Sequence, residues 1–506
     1  MFTESIWNAF PNPKSYPVLK ENISTDTLII GGGVTGITLG MQLANKGKEC
    51  IVLEARKVGG GTTSHSTGNL YVTIDAILST LGAKYDAAVV QHVTMARQAA
   101  LNQIKSNVAE YQLECDFENT PWYLYATDKD KNKVEKEFET ATEIGLAMQR
   151  ADMSLIPYNV SSAITLPDQA QINPLKYVQL LAAEIDQRFC RIFEDSPAMK
   201  IEKNKGGLFE ISTPEGKIIA KHLVHATHTP KGFSFLQTLL GPYREYGIAC
   251  QLKQRIDLKG IFWGYHNDEK YSTRTYEING KQYLLIIGKA HKVGQMTHNE
   301  KNILELENFA REHFEVSTID FRWGGQHYRP ADMLPFIGAT EDNLYVATGY
   351  ATDGLVYGTL AGMMISDQIS GKENQWTELF DPKRINPLKS ASNFIKENIN
   401  VAAQYLDLIP GFEDDKAFVD MVEGTGKVID KDGHKLAVYR NYDKKLIVKS
   451  AVCTHLACVV HFNNAEKTWD CPCHGSRFGI DGSVLEGPAL LPLHEITGMD
   501  GKVKIL

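Results

Sequence analysis

The sequence predicts an α/β protein with a mixed-sheet second domain and a separate metal-bearing module near its C-terminal end. Three observations predict it. Asp26-Thr-Leu-Ile-Ile30 is a short apolar strand that runs into Gly31-Gly-Gly33-Val-Thr-Gly36, with a helix and a second strand behind it. Between residues 231 and 320 lie stretches of strand length and pattern, such as Ala249-Cys-Gln-Leu252 and Tyr283-Leu-Leu-Ile-Ile287. Four cysteines and three histidines crowd into residues 453–474.

In the first unit, Ile37, Met41 and Leu43-Ala44 recur at helical spacing, Gly47 ends the helix, and Cys50-Ile-Val-Leu-Glu54 returns as a strand. This strand–helix–strand context gives G-x-G-x-x-G its meaning as a Rossmann-like dinucleotide site. Gly31 allows the tight turn, Gly33 the approach of a pyrophosphate, and Gly36 close helix–strand packing. The free N–H groups of the helix N-terminus then face the diphosphate. Glu54 ends the second strand, where its carboxylate accepts hydrogen bonds from a ribose.

The next segment, Ala55-Arg-Lys-Val-Gly59-Gly-Gly-Thr-Thr-Ser-His65-Ser-Thr-Gly68, resembles the loop that follows the acidic residue in flavoproteins of the D-amino-acid oxidase and glycine oxidase type. The resemblance implies FAD and places Thr62, Thr63, Ser64 and His65 around its ribityl chain and flavin. It extends to Trp323-Gly-Gly-Gln-His-Tyr-Arg-Pro-Ala-Asp332-Met-Leu-Pro335-Phe-Ile-Gly338 and to the strand Leu344-Tyr-Val-Ala-Thr-Gly349. Asp353-Gly354-Leu355 then opens a helix whose N-terminus, in that family, points at the flavin pyrimidine and stabilises negative charge there. Gly349, Asp353, Gly354 and Leu355 join the cofactor residues on this ground. Leu223-Val-His-Ala-Thr227 fits a strand that normally ends in an Ala-Thr-Gly turn, but His228 stands where the glycine is expected. Some amine-oxidising relatives attach FAD through a histidine in a setting similar to that of His65.

At the other end, Cys453-Thr-His455-Leu-Ala-Cys458 is separated by twelve residues from Cys471-Pro-Cys473-His474-Gly-Ser476. Two thiolates and two imidazoles suit a [2Fe–2S] cluster with histidines on one iron. By residue type alone a zinc site also fits, although six metal-competent side chains stand where zinc wants four. The pattern resembles the Rieske iron–sulfur proteins, which are small all-β domains. That resemblance implies Cys453 and Cys471 on one iron, His455 and His474 on the other, and a disulfide between Cys458 and Cys473. Gly487-Pro488-Ala489 resembles the proline loop covering the cluster, and Phe478 stands where the electron-transfer branch commonly has a tyrosine. No two-histidine, one-carboxylate iron site of an oxygenase can be placed.

The expected organisation is an oxidoreductase unit over 24–371, a connector over 372–411 and a Rieske domain over 412–506. Within the first unit, 24–84, 151–230 and 321–371 are assigned to FAD binding, and 85–150 and 231–320 to the substrate domain. A net charge of −8 without a basic run argues against nucleic acid as a partner. Residues 1–20 lack the apolar core of a signal peptide, and no stretch suits a transmembrane helix. The scattered Cys50, Cys115, Cys190 and Cys250 fit buried thiols in a reducing cytoplasm.

The two cofactors imply a dehydrogenase: a two-electron oxidation at FAD followed by single-electron transfer to the cluster and an unidentified acceptor. Resemblance points to an amine or amino acid as substrate. A redox relay or sensor without a small-molecule substrate is the alternative. NAD(P)H as donor is disfavoured because no second strand–helix G-x-G-x-x-G occurs. Arg322, His327, Tyr328, Arg329, Tyr350 and Asp353 fall near the expected flavin face, with Tyr246 and His228 undecided; no catalytic residue is assigned among them.

Overall fold

The computed structural model describes residues 3–10, 14–384, 398–408, 420–499 and 502–505. The apolar strand Asn22–Ile30 lies at the heart of an eight-stranded sheet, between Lys217–His225 and Cys50–Leu53, both parallel to it. Cys190–Phe193 continues the parallel set beyond Cys50–Leu53, and Leu344–Thr348 beyond Lys217–His225. Two helices cover one face, Val34–Asn45 and Gly354–Ile369. They touch where Gly358 and Gly362 meet Val34, Thr35 and Thr38, so side chains there would force the helices apart. This contact is why the second helix is so rich in small residues.

The second sheet has nine strands in the order Val316–Pro330, Leu240–Leu252, Lys281–Lys292, Glu269–Ile278, Ile261–His266, Glu118–Ala126, Ser162–Gln171 and Asn69–Leu70, with Gln149–Arg150 paired to Ser162–Gln171. Only Ile261–His266 and Glu118–Ala126 run parallel, so the sheet is mixed, as the alternating pattern predicts. Three strands fall in a different layer from their sequence assignment, among them Asn69–Leu70 from the 24–84 segment. Ser162–Gln171 and most of Val316–Pro330 pair in this sheet, although 151–230 and 321–371 were assigned to FAD binding. Strand order depends on long-range pairing, which local pattern does not encode.

Residues 420–499 hold no helix among those described and form a three-stranded and a four-stranded sheet. Their core gathers Cys453, Cys458, Cys471, Cys473, Trp469 and Phe478. Residues 385–397 and 409–411 of the expected connector, and 412–419 at the start of the expected Rieske domain, lie outside the described residues. The described segment 398–408 leans on the C-terminal domain through Tyr405 Oη, which donates to the Leu456 carbonyl at 2.8 Å. Cys50, Cys115, Cys190 and Cys250 are buried free thiols, and no helix among the described residues is long and apolar enough to cross a membrane.

Candidate functional site

A cavity of about 480 Å³ opens at the carboxyl end of the parallel strands, where ligands of open α/β sheets bind. Gly31 takes a φ of 109° and packs against the Ala226 carbonyl, leaving no room for a Cβ. A Cβ on Gly36 would strike the Gly31 carbonyl. No side chain caps the helix at Gly33, and its first N–H, from Val34, donates to Thr63 Oγ1 at 3.2 Å. Glu54 accepts from Gly32 N–H at 2.7 Å and Arg56 N–H at 2.8 Å, so its carboxylate is fixed at the rim. This cradle of backbone donors suits a diphosphate and ribose.

Of the residues expected around FAD, Gly31, Gly33, Glu54, Thr62, Thr63, His65, Gly354 and Leu355 line the cavity. Gly36, Ser64, Gly349 and Asp353 stand behind the wall. The Asp353 carboxylate pairs with buried Arg97 at 3.3 Å and accepts Asp75 N–H at 3.0 Å, so it orders the helix N-terminus from within. Tyr350 lines the cavity, whereas Arg322 pairs with Glu307 at 2.6 Å, away from it. His228 takes a φ of 68°, the conformation glycine would adopt, at a cost of about 1 kcal/mol. Its Nδ1 lies 3.1 Å from Thr62 Oγ1, and burial pushes it down to about 4, so it is neutral at neutral pH.

His65 lines the cavity with its Nδ1 on the Gly61 carbonyl at 2.9 Å. That bond places the ring proton on Nδ1 and turns the lone pair of Nε2 outward. A neutral, hydrogen-bonded imidazole fits a noncovalent neighbour of the cofactor. After acid precipitation, FAD is expected in the supernatant, with no flavin fluorescence in the protein pellet.

The strands Leu240–Leu252 and Val316–Pro330 form the partition on which the site is built. Their register pairs Arg244 with Gln326, Pro242 with Tyr328, Tyr243 with His327 and Glu245 with Gly325. Directly paired residues share a face and neighbours alternate. Arg244, Tyr246, Gln326 and Tyr328 therefore face the C-terminal domain, and Tyr243, Glu245, His327 and Arg329 face the opposite way.

On the first face, the Arg244 guanidinium, 1% exposed, grips the Glu466 carboxylate through Nε and Nη2 and lies 3.6 Å from Glu486. Arg477 completes the network, 3.4 Å from Glu466, 3.0 Å from Asp470 and 2.8 Å from Glu486. Burial pushes Glu466 and Glu486 up, but the two guanidiniums outweigh it and hold both carboxyls at about 2. Gln326 Nε2 donates to the Gly475 carbonyl at 2.8 Å, and Tyr328 Oη donates to the His474 carbonyl at 3.2 Å. Gly232 N–H donates to the Pro488 carbonyl at 3.0 Å.

The cluster residues come together at this seam. Cys458 and Cys473 are joined in a disulfide with Cα atoms 6.5 Å apart. Cys453 and Cys471 are free, buried and within hydrogen-bonding reach of each other. The His455 and His474 rings lie 5.1 Å apart, and His474 Nδ1 and His455 Nε2 are buried without a hydrogen-bond partner. The sulfurs of Cys458, Cys471 and Cys473 lie within 4.8 Å of one another, but a disulfide removes two of these as ligands. Two thiols and two imidazoles remain, which fits [2Fe–2S] ligation. Ser476 Oγ accepts Ala489 N–H at 3.1 Å, tying the proline loop to the cluster loop. Phe478 is fully buried beside them.

The same loop reaches the cavity: Leu485, Glu486, Gly487, Ala489 and Leu490 line it together with the glycine-rich turn. Sequence reasoning missed Lys231, enclosed in the cavity wall, where burial pushes it down to about 8. It also missed Arg244, Glu245, Glu466 and Glu486. The available signal was the run of charged and aromatic residues at 243–246 inside an otherwise apolar strand.

The family model described as FAD dependent oxidoreductase matches residues 26–368, and that of the Rieske [2Fe-2S] domain matches 415–497. A Rieske 2Fe-2S iron-sulfur protein of Bacillus subtilis (strain 168), YhfW, is 31% identical over 97% of this chain and 97% of its own length. Gamma-glutamylputrescine oxidoreductase of Escherichia coli (strain K12) is 22% identical over 73% of this chain and 89% of its own. Glycine oxidase from Geobacillus kaustophilus shares the fold, with a TM-score of 0.59 at 16% identity over 72% of this chain and 99% of its own.

Proposed function

Because the chain belongs to the FAD dependent oxidoreductase family and carries a C-terminal Rieske [2Fe-2S] domain, we propose that it is an amine or amino acid dehydrogenase whose cluster takes the flavin's electrons and hands them to an acceptor outside the chain. FAD supplies hydride acceptance and one-electron release, and the cluster carries one electron at a time. The observation that carries the reading is the seating of the cluster loops. Tyr328 holds the backbone of His474 while its ring lies 4.8 Å from that of His228, which in turn reaches Thr62 in the cavity wall. His474 is 6% exposed, so its side chain is enclosed at the seam between the two domains and not turned to solvent, which supports the reading.

The chain's own residues do the positioning. Gln326 and Tyr328 fix the cluster loop, the Arg244 network excludes water from the seam, and the helix N-terminus at Gly354 offers its N–H groups to the cavity. On the other face of the partition the Glu245 carboxylate, which has no hydrogen bond or ion pair among the described residues, supports a small-molecule substrate over a bare relay.

Photoreducing the flavin anaerobically is expected to produce the EPR signal of the reduced cluster. The rate is expected to be the same at all protein concentrations, as within one chain. A cluster that stays oxidised beside reduced FAD, despite a higher potential, overturns the transfer.

A further inference from the structure

We propose that Glu245 is the residue that receives the substrate's ammonium group and takes a proton from it; this rests on the reading of the chain as an amine or amino acid dehydrogenase. Glu245 lines the cavity from the strand Leu240–Leu252, on the face turned away from the C-terminal domain. Its carboxylate makes no hydrogen bond and no ion pair among the described residues. Arg244 and Tyr246, on either side of it, are turned to the C-terminal domain and bonded there. Half-buried in the cavity wall and without a partner there, this carboxylate is open to a ligand.

The charged groups that face Glu245 are accounted for. From the loop before Leu78–Gly82 comes Asp75, and from Glu269–Ile278 comes Lys270, and these two pair with each other at 2.7 Å. From Val316–Pro330 come His327 and Arg329, bonded to each other at 3.0 Å, with the Arg329 guanidinium 4.3 Å from the ring centre of Tyr243. Burial, and then the Asp75 carboxylate, push Glu245 up to about 7 against the pull of Arg329 and Lys270. An arriving ammonium group is the missing counter-charge.

The chemistry follows from that placement. The ammonium N–H proton passes to the Glu245 carboxylate, leaving a neutral amine with its lone pair free. FAD held in the cavity would then supply the acceptor for the hydride of the adjacent C–H bond, taking both of its electrons and leaving the carbon as an iminium. Glu245 is competent as acceptor only when ionised, so the step strengthens as pH rises through about 7.

The test is binding to the FAD-loaded protein, read from the flavin absorption spectrum. N-methylglycine carries an ammonium and a carboxylate, and acetate carries the carboxylate alone. Wild type is expected to bind N-methylglycine at least tenfold more tightly than acetate, more so at pH 8 than at pH 6. Glu245→Gln, which keeps the shape and loses no partner, is expected to lose that preference while its flavin content and cluster spectrum stay unchanged. Absence of the preference in wild type, or its persistence in Glu245→Gln, overturns the proposal. Failure of the wider reading looks different: the preference is present, but no amine or amino acid bleaches the flavin.

Discussion

Replacing Arg244 with methionine is expected to loosen the C-terminal domain from the flavin domain and to slow cluster reduction by about a hundredfold. The guanidinium is buried between Glu466, Glu486 and the Gly324 carbonyl, and methionine fills a similar volume without its donors. Removing one partner of a buried pair costs about 3–5 kcal/mol because the other charges stay behind. Arg477 still neutralises part of that charge, which puts the cost near the lower end. About 3 kcal/mol corresponds to roughly a hundredfold in the docking equilibrium. Arg244→Lys keeps the charge but not the two-pronged grip, and is expected to fall between. Flash photoreduction of the flavin, followed by cluster absorbance, measures the rate. Susceptibility of the seam to limited proteolysis measures the docking. Glu466 and Glu486 also set its acid limit. Their carboxyls are depressed in the docked state, so their contribution is complete above the usual carboxylate range near 4.3 and is lost as pH falls toward 2. Docking in wild type is therefore expected to persist at pH 5 and weaken below 4. An Arg244→Met variant with wild-type transfer rate and protease resistance would show that the network is incidental to docking.

What the sequence reveals of this site follows from how local the physics is. Gly31 and Gly36 are legible because a turn and a helix–strand contact exclude any Cβ, whatever surrounds them. Cys453, His455, Cys471 and His474 as expected cluster ligands, and the Cys458–Cys473 pair, are legible through the resemblance of their motif to the Rieske proteins, and the structure joins that pair in a disulfide. Asp353 shows the limit. Its place before a helix suggests the cofactor, yet its carboxylate is spent on Arg97, which lies on a helix more than two hundred residues earlier. Arg244 shows it again, because a buried, networked arginine looks the same in a sequence as a solvated one. The faces of Leu240–Leu252 are both polar near residue 245, so alternation alone does not tell which meets a protein domain and which meets a cavity. Strand order decides that, and it rests on pairings far apart in the chain.

The two cofactor sites have separate ligands but share a wall, and paired substitutions are expected to expose both facts. Cys471→Ser removes one iron ligand and is expected to abolish the cluster spectrum. The disulfide and the Ser476–Ala489 bond remain to hold the loops, so FAD is expected to stay bound. Its affinity is expected to fall about tenfold, roughly 1.4 kcal/mol, because Glu486, Gly487, Ala489 and Leu490 form part of its cavity and lose the metal that stiffens them. Gly33→Val acts in the opposite direction. A Cβ there already stands 3.2 Å from Thr63 Oγ1, and the added methyl groups occupy the path of the pyrophosphate at the helix N-terminus. FAD is expected to be lost by more than a hundredfold in affinity, with the cluster spectrum intact, since every proposed cluster ligand lies within residues 453–474. Flavin released on heating, titrated against apoprotein, and the visible spectrum of the cluster measure the two arms independently. Loss of both cofactors from either variant, in protein that remains folded, would show that the domains assemble as one cooperative unit and that the shared wall, not the ligand sets, governs cofactor retention.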